Sequence, residues 1–339
     1  MNRILFHNDL DGICCAAFYL NIETNGDYVL YPVKTQIRGE KFERLVDSLP
    51  VSDTIIILDF QYNKRAKVWI DHHYSSNVPK EIDSFLVNDI TAKSAFSILA
   101  PRHGSLLSVN MVDACLYPNV DYIFESVDPV MTLNRFITST FPHDMIWCRV
   151  VEVLAKTGIN FKKTVSILGL DAQEYLDREQ EGCENIKNFM CVHDSRISIV
   201  ESSRVNEYPR YSEFYVHKFI DYAIRKVSTG NGKCQVEIMF NKFSKAENLM
   251  NIGKFMSANQ LLLTGGGHNA IGGGSLMEKN FENFISQFVT ELNGEDMEKL
   301  AVDVKNDSVE KRSQELIKQG AQKDIVKARE EVIKDDCKL

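Results

Sequence analysis

The stretch Val68-Trp69-Ile70-Asp71-His72-His73 sets an apolar run directly against a carboxylate and two imidazoles. Such a run reads as a buried strand, and the polar triplet stands where that strand ends, the place where α/β sheets carry their chemistry. The pattern recurs. Ile4-Leu5-Phe6 runs into His7-Asn8-Asp9-Leu10-Asp11-Gly12, and Ile55-Ile56-Ile57-Leu58 runs into Asp59. Three strand ends bearing oxygen and imidazole donors describe one metal site assembled from separate strands.

From these ends the neighbouring elements follow. Residues 3–6 read as a strand, followed from Asp11 by a helix with Ile13, Cys14, Ala17, Phe18 and Leu20 at helical spacing. A strand is expected at 27–33, a short helix at 42–49, and strands at 54–58, 67–70 and 84–87. Strands alternating with helices imply right-handed βαβ units and a mainly parallel, doubly wound sheet buried on both faces. Helices at 91–99, 106–116, 132–138 and 144–156 complete that domain. The polar stretch 165–189 reads as a connecting helix. After it come a strand at 196–200, a helix at 213–227, a turn at 229–232 and a strand at 235–240. The expected α/β organisation is a catalytic domain at 1–164, a helical linker at 165–190, a smaller α/β domain at 191–294 and a charged helical tail at 295–339. Val309, Leu316, Ile325, Val326, Val332 and Ile333 are sparse in that tail, which suits a solvated helix lying against its own domain. A tail helix that forms a homodimer is the rival, and the heptad spacing is too irregular to prefer it.

At 339 residues the chain suits two domains with cores large enough to need no covalent staples. No stretch is long and apolar enough for a membrane span, and the opening MNRILFHND lacks a secretory apolar region. The eight cysteines include no CxxC pair, so reduced thiols in a cytoplasmic enzyme are expected rather than a zinc knuckle. A net charge of −8 argues against a protein that grips long duplex nucleic acid, because that mode needs many cations on phosphates. Small anionic substrates remain open, since bound metal ions reverse the local field.

His7, Asp9 and Asp11 alternate, so in an extended loop they point the same way. Their donor set suits Mn²⁺ or Mg²⁺ better than a thiolate-preferring metal. Two rivals stand beside this: Asp-x-Asp-Gly after a strand also marks phosphatases whose first Asp is a nucleophile, and Asp11 would serve as an ordinary helix cap. Asp71-His72-His73 breaks the tie, because a carboxylate plus two imidazoles has little packing rationale. An imidazole ligand needs a second acceptor to orient it, and Asp71 can supply one. Asp59 alone would pass for a turn residue and gains weight from its company. Asp113, Asp121 and Asp128 all compete for a further ligand position, with the helical run 106–116 favouring Asp113.

His7-x-Asp9-x-Asp11-Gly12, Asp59, Asp71-His72-His73 and Asp113 resemble the four motifs of the DHH phosphoesterase superfamily. Gly265-Gly266-Gly267-His268 resembles the signature of its DHH-associated C-terminal domain. The resemblance runs in the right order from about residue 4 to 275 and leaves out the tail. It implies that His7, Asp9 and Asp59 hold one Mn²⁺ ion and that Asp11, Asp59, His72 and Asp113 hold another, with Mg²⁺ or another divalent ion as a substitute. Asp59 then bridges, His73 faces the substrate phosphate and Asp71 supports the histidines from behind. Two cations about 3.5–4 Å apart lower the pKa of a shared water and stabilise both oxygens of an in-line attack, so hydroxide is the nucleophile.

The glycines of 265–267 offer backbone N–H groups that a substrate oxygen can approach, or else a tight turn, and His268 adds a donor. Relatives often carry an Arg-Ser pair upstream. This chain has Asn241-Lys242-Phe243-Ser244 instead, and Lys242 replaces a guanidinium fork with a point charge. Lys34, Arg38, Lys93 and Ser94 are further phosphate-contact candidates, with exposed solvated residues as the blander alternative. The resemblance implies a phosphoesterase acting, in the cleft between the domains, on small nucleotidic anions such as short oligonucleotides and linear or cyclic dinucleotides. Inorganic polyphosphate, single-stranded DNA cut from its end, and a nucleotide-sensing module with an inactive site are the alternatives.

Overall fold

The computed structural model describes residues 1–22, 26–34, 37–73, 85–139, 144–193, 196–202, 209–246 and 250–293; the expected tail at 295–339 lies outside the described residues. In chain order the strands are β1 (Asn2–His7), β2 (Tyr28–Val33), β3 (Thr54–Leu58), β4 (Ala66–Asp71), β5 (Leu86–Asn88), β6 (Met190–His193), β7 (Ile197–Ser202), β8 (Tyr222–Gly230), β9 (Lys233–Phe240), β10 (Leu262–His268) and β11 (Ile271–Met277). The helices are α1 (Leu10–Ile22), α2 (Glu40–Asp47), α3 (Ala95–Leu99), α4 (Leu106–Asp113), α5 (Val120–Glu125), α6 (Pro129–Ser139), α7 (Asp144–Thr157), α8 (Phe161–Leu168), α9 (Ala172–Ile186), α10 (Ser212–Val216), α11 (Ile252–Ala258) and α12 (Phe281–Asn293).

Among the described residues two compact units emerge: Met1–Leu116 with Pro129–Leu170, and Tyr117–Asp128 with 171–293. Tyr117–Asp128 thus joins the second unit, although no change of composition marks it in the sequence. In the first unit, five strands pair in parallel in the order β2-β1-β3-β4-β5. The order reverses between β1 and β3, and a doubly wound sheet opens its crevice at the carboxyl ends of the strands flanking such a reversal. The apolar runs explain why these strands are central. Leu5, Ile55, Ile57 and Trp69 pack on Phe42 and Val46 of α2, while Ile4, Phe6, Ile56 and Leu58 alternate to the other face and are equally buried. Trp69 is core, its indole N–H donating to the Phe60 carbonyl at 2.7 Å. Helix α1 packs against α3, α4 and α7.

The second unit is a mixed six-stranded sheet, β10-β11-β9-β8-β7-β6, antiparallel except for β7 with β8. Tyr222, Ile224, Val236 and Ile238 form its core with Ile252 and Phe255 of α11 and Phe284 and Phe288 of α12.

Four expectations need correction. The stretch 165–189 is two helices, because Asp171 starts a new one by accepting the Gln173 N–H at 2.9 Å. The stretch 213–227 is helical only through Ser212–Val216 and is a strand from Tyr222, where Tyr222 and Ile224 point into the core. Its charged ends, Glu213 and Arg225, pair with each other in the interior instead of facing solvent. The helix expected at 91–99 begins at Ala95, capped by Ser94, whose hydroxyl accepts the Ser97 N–H at 3.0 Å. The glycine runs are paired strands rather than a tight turn: Gly265, Gly266 and Gly267 face Gly274, Gly273 and Gly272. A Cβ on Gly265 would stand 2.1 Å from the Met256 carbonyl oxygen, so the absence of side chain lets α11 lie directly on the hairpin. Among the described residues no helix is long and apolar enough to cross a membrane, and the seven cysteines present there are free thiols.

Candidate metal centre

β1 ends at His7, and α1 starts three residues later. The turn between them is tight, because a Cβ on Gly12 would stand 2.3 Å from the His7 carbonyl oxygen. Asp9, not Asp11, caps the helix: its Oδ1 accepts the Gly12 N–H at 3.0 Å, which leaves Oδ2 at 2.6 Å from His7 Nδ1. The expectation that His7, Asp9 and Asp11 point one way in an extended loop is therefore corrected. Asp11 already lies in the first helical turn and faces α3, where its Oδ2 accepts the Ala95 N–H at 2.6 Å and its Oδ1 the Phe96 N–H at 2.9 Å.

Asp59 follows β3 and connects the two groups so separated. Its backbone sits in the left-handed region at φ 57°, uncommon for a residue with a side chain, and its N–H donates to the Ile70 carbonyl at 2.7 Å. The side chain is fully buried, yet neither oxygen receives a well-formed hydrogen bond. His7 Nδ1 lies 3.5 Å from Oδ2 and His72 Nε2 3.5 Å from Oδ1. His72 Nε2 is also 3.6 Å from Asp11 and 3.3 Å from Asp113. Donor atoms of His7, Asp9 and Asp59, of Asp11, Asp59 and His72, and of Asp59, Asp71 and His73 lie within 4.8 Å of one another in each set. Asp59 is common to all three.

The Asp71-His72-His73 triplet divides its work differently from expectation. Asp71 Oδ1 accepts the backbone N–H groups of His72 and His73 at 2.8 and 3.2 Å and lies 2.7 Å from His73 Nδ1. Asp71 thus orients the His73 ring. The His72 ring is held elsewhere, its Nδ1 lying 3.3 Å from the Ala92 carbonyl. No property of Ala92 marks it in the sequence; the nearest signal is Asp89-Ile90-Thr91, where Asp89 Oδ1 accepts both the N–H and the hydroxyl of Thr91 and so shapes the turn.

Among the three aspartates left open by sequence, Asp113 on the last turn of α4 reaches His72. Asp121 pairs with Lys218 at 2.8 Å and Asp128 accepts the Tyr122 hydroxyl, both in the second unit. Lys34 is held by Asp144 at 2.9 Å and lies over Trp147. Arg38 lies over Phe60. His103 accepts the Ser105 N–H at 3.1 Å, apart from the cluster. In the second unit Lys242 is exposed beside the buried Asn241, whose amide donates to the Ile220 carbonyl at 2.7 Å, and His268 ends β10 opposite Ile271.

The electrostatics are those of too many carboxylates in too little solvent. Burial would discharge His7, but Asp9 and Asp59 outweigh it and push its pKa to about 10. Burial likewise opposes the charge on His72, and Asp113, Asp59 and Asp11 raise it to about 11. Burial, reinforced by Asp59, pushes the Asp113 carboxyl up to about 7 against the pull of His72. Asp11 rises well above the usual carboxylate range through burial and the charges of Asp59 and Asp113. Asp71 moves down, burial being overcome by His73 and His72. Protons are therefore retained where divalent cations would otherwise neutralise the cluster. Open carboxylate oxygens on Asp59 and Asp113 and imidazole nitrogens aimed at them fit hard divalent ions.

No family model matches the chain, and no curated protein matches it. A solved structure does: the pGpG-specific phosphodiesterase PggH from Vibrio cholerae superimposes with a TM-score of 0.56, covering 86% of this chain and 99% of that one at 16% identity. The chain shares the fold of that phosphodiesterase. At that identity the likeness is one of fold. RecJ from Thermus thermophilus in complex with Mn²⁺ is less similar, at a TM-score of 0.46 and 13% identity, with 84% of this chain covering 51% of that one. Within this fold, the cluster occupies the carboxyl ends of β1, β3 and β4, beside the reversal of strand order.

Proposed function

We propose that the chain is a Mn²⁺-dependent phosphoesterase that hydrolyses small nucleotidic phosphodiesters, with linear dinucleotides first among the candidate substrates. One observation carries the reading: a fully buried Asp59 whose two oxygens lack well-formed hydrogen bonds and are shared by the His7–Asp9 and Asp11–His72 groups. A buried carboxylate left in this state costs several kcal/mol unless a cation completes it. His7, Asp9 and Asp59 would hold one ion, and Asp11, Asp59, His72 and Asp113 the other. When bound, such a pair supplies an activated water and neutralises charge on the phosphate.

The remaining roles belong to the protein. Asp71 fixes the His73 ring, so that the imidazole meets a phosphate oxygen without first having to reorient. Asp9 cannot drift, because one oxygen is occupied in capping α1. Lys242 and the strand Gly265-Gly266-Gly267-His268 are assigned to substrate recognition in the second unit. PggH is described as pGpG-specific and nearly its whole length matches, which supports dinucleotides over polyphosphate or long single strands. Free thiols support a reducing, cytoplasmic setting.

The test is turnover of a panel with added Mn²⁺ or Mg²⁺: linear and cyclic dinucleotides, tri- to pentanucleotides and polyphosphate, for the natural chain and for Asp59→Ala. Mn²⁺-dependent cleavage of a dinucleotide, lost in the variant, is expected. A natural chain inert across the panel would leave the nucleotide-sensing alternative standing.

A further inference from the structure

Asp113 is carried by the last turn of α4, a two-turn helix packed against α1, α3 and α6. Val109 is its one fully buried residue, and Leu107 is 81% exposed. Apolar packing of this kind places a helix, whereas a metal ligand has to be held within about 0.5 Å. Asp113 Oδ2 is buried and receives no well-formed hydrogen bond, His72 Nε2 lying 3.3 Å away. Three residues earlier, on the same face of α4, Asn110 Oδ1 accepts the Ser94 hydroxyl at 2.6 Å. Ser94 is fully buried, and its Oγ also accepts the Ser97 N–H, which leaves its single proton for Asn110. The two residues after Ser94 donate their N–H groups to Asp11. The start of α3 therefore bonds Asp11 of α1 directly and reaches α4 at Asn110, one turn before Asp113, and makes none of these bonds to His7 or Asp9.

Resting on the two-metal reading above, we infer that Ser94 and Asn110 are positioning residues that set Asp113 and thereby tune one ion of the pair and not the other. Asn110→Ala removes the latch while leaving the Ser94 cap of α3 in place.

The experiment is calorimetric titration of the full metal-stripped chain with Mn²⁺, alongside urea unfolding of the metal-free form. The natural chain is expected to take up two ions. In Asn110→Ala one ion binds about 10- to 100-fold more weakly, the other is unchanged, and the metal-free unfolding midpoint moves little. Asn110→Asp, which keeps the acceptor oxygen, recovers most of the affinity. Ser94→Ala combined with Asn110→Ala weakens that ion no further than the worse single change, as for two halves of one bond. Two ions of natural affinity in Asn110→Ala overturn the latch and leave the two-metal reading intact. Equal weakening of both ions together with a lower metal-free midpoint also overturns it, as a general structural defect. A natural chain that takes up fewer than two ions overturns the two-metal reading itself, and the latch with it.

Discussion

In the second unit Arg225 and Glu213 bury charge as a closed pair: Nε donates to Oε1 at 2.6 Å, Nη2 to Oε2 at 2.8 Å, and Nη2 also reaches Ser212 and the Pro209 carbonyl. In the first unit Asp11, Asp59, Asp71 and His72 are buried as deeply, but Asp59 has no well-formed donor and Asp113 is pushed toward protonation by burial and its neighbours. Depth of burial does not separate these regions; completeness of their hydrogen bonding does. A closed ion pair serves the fold, whereas a cluster with carboxylate oxygens to spare is built around something supplied from outside.

The strongest challenge to that contrast is Asp59→Asn. Mn²⁺-dependent kcat/KM is expected to fall by about 10³-fold or more, while urea unfolding of the metal-free chain changes little, since the lost charge repelled Asp11 and Asp113 but attracted His7 and His72. If the variant keeps its turnover, or unfolds as a core mutant would, the cluster is structural after all. The mirror experiment is Glu213→Ala, which strands the Arg225 guanidinium in the interior. A loss of about 3–5 kcal/mol in unfolding free energy is expected, with Mn²⁺ uptake unaffected. Third in size, Asp71→Asn should lower kcat/KM by about 10- to 100-fold through a misoriented His73, with two ions still bound by titration. Loss of an ion instead would return Asp71 to the orientation of a ligand.

The pH dependence of the metal-free fold probes the same contrast without a substitution. His7 and His72 have folded pKa values, about 10 and about 11, above the ordinary 6.5. Their contribution is fully present below about pH 6.5 and is lost as pH rises through the folded values; Asp113, raised to about 7 from 3.8, acts in the same sense as its proton leaves. Unfolding free energy of the stripped chain should thus fall steadily between pH 6.5 and 9. Excess Mn²⁺ should stabilise more at the higher pH, because ligation replaces those protons. Stability that rises with pH in the stripped chain would mean that the cluster does not hold protons in this way. Glu213→Ala should leave the slope alone.

Much of the first sheet was legible because a parallel strand buried on both faces is an unbroken apolar run, and its end is marked by the first polar side chain. His7, Asp59 and Asp71-His72-His73 could be located on that ground alone. The second unit was less legible. The exposed β6 offers only the short run Met190-Cys191-Val192 at the end of a polar stretch, and the glycine strands β10 and β11 have few side chains through which to declare a period. The helix expected at 213–227 hid the Glu213–Arg225 pair, which joins a short helix to a strand.

The linear order of residues was enough to establish where the ligand types stand along the chain, that the sheet carrying them is parallel, and which metals their donor set suits. Their partners emerged only from the packed chain: Asp9 rather than Asp11 caps α1, Asp71 orients His73 while a carbonyl at Ala92 holds His72, and Asp113 rather than Asp121 or Asp128 meets the cluster. Periodicity and strand ends are properties of neighbours in the chain. The choice among several aspartates depends on how α3 and α4 dock against α1, contacts between residues as many as 85 positions apart, and no local pattern records them.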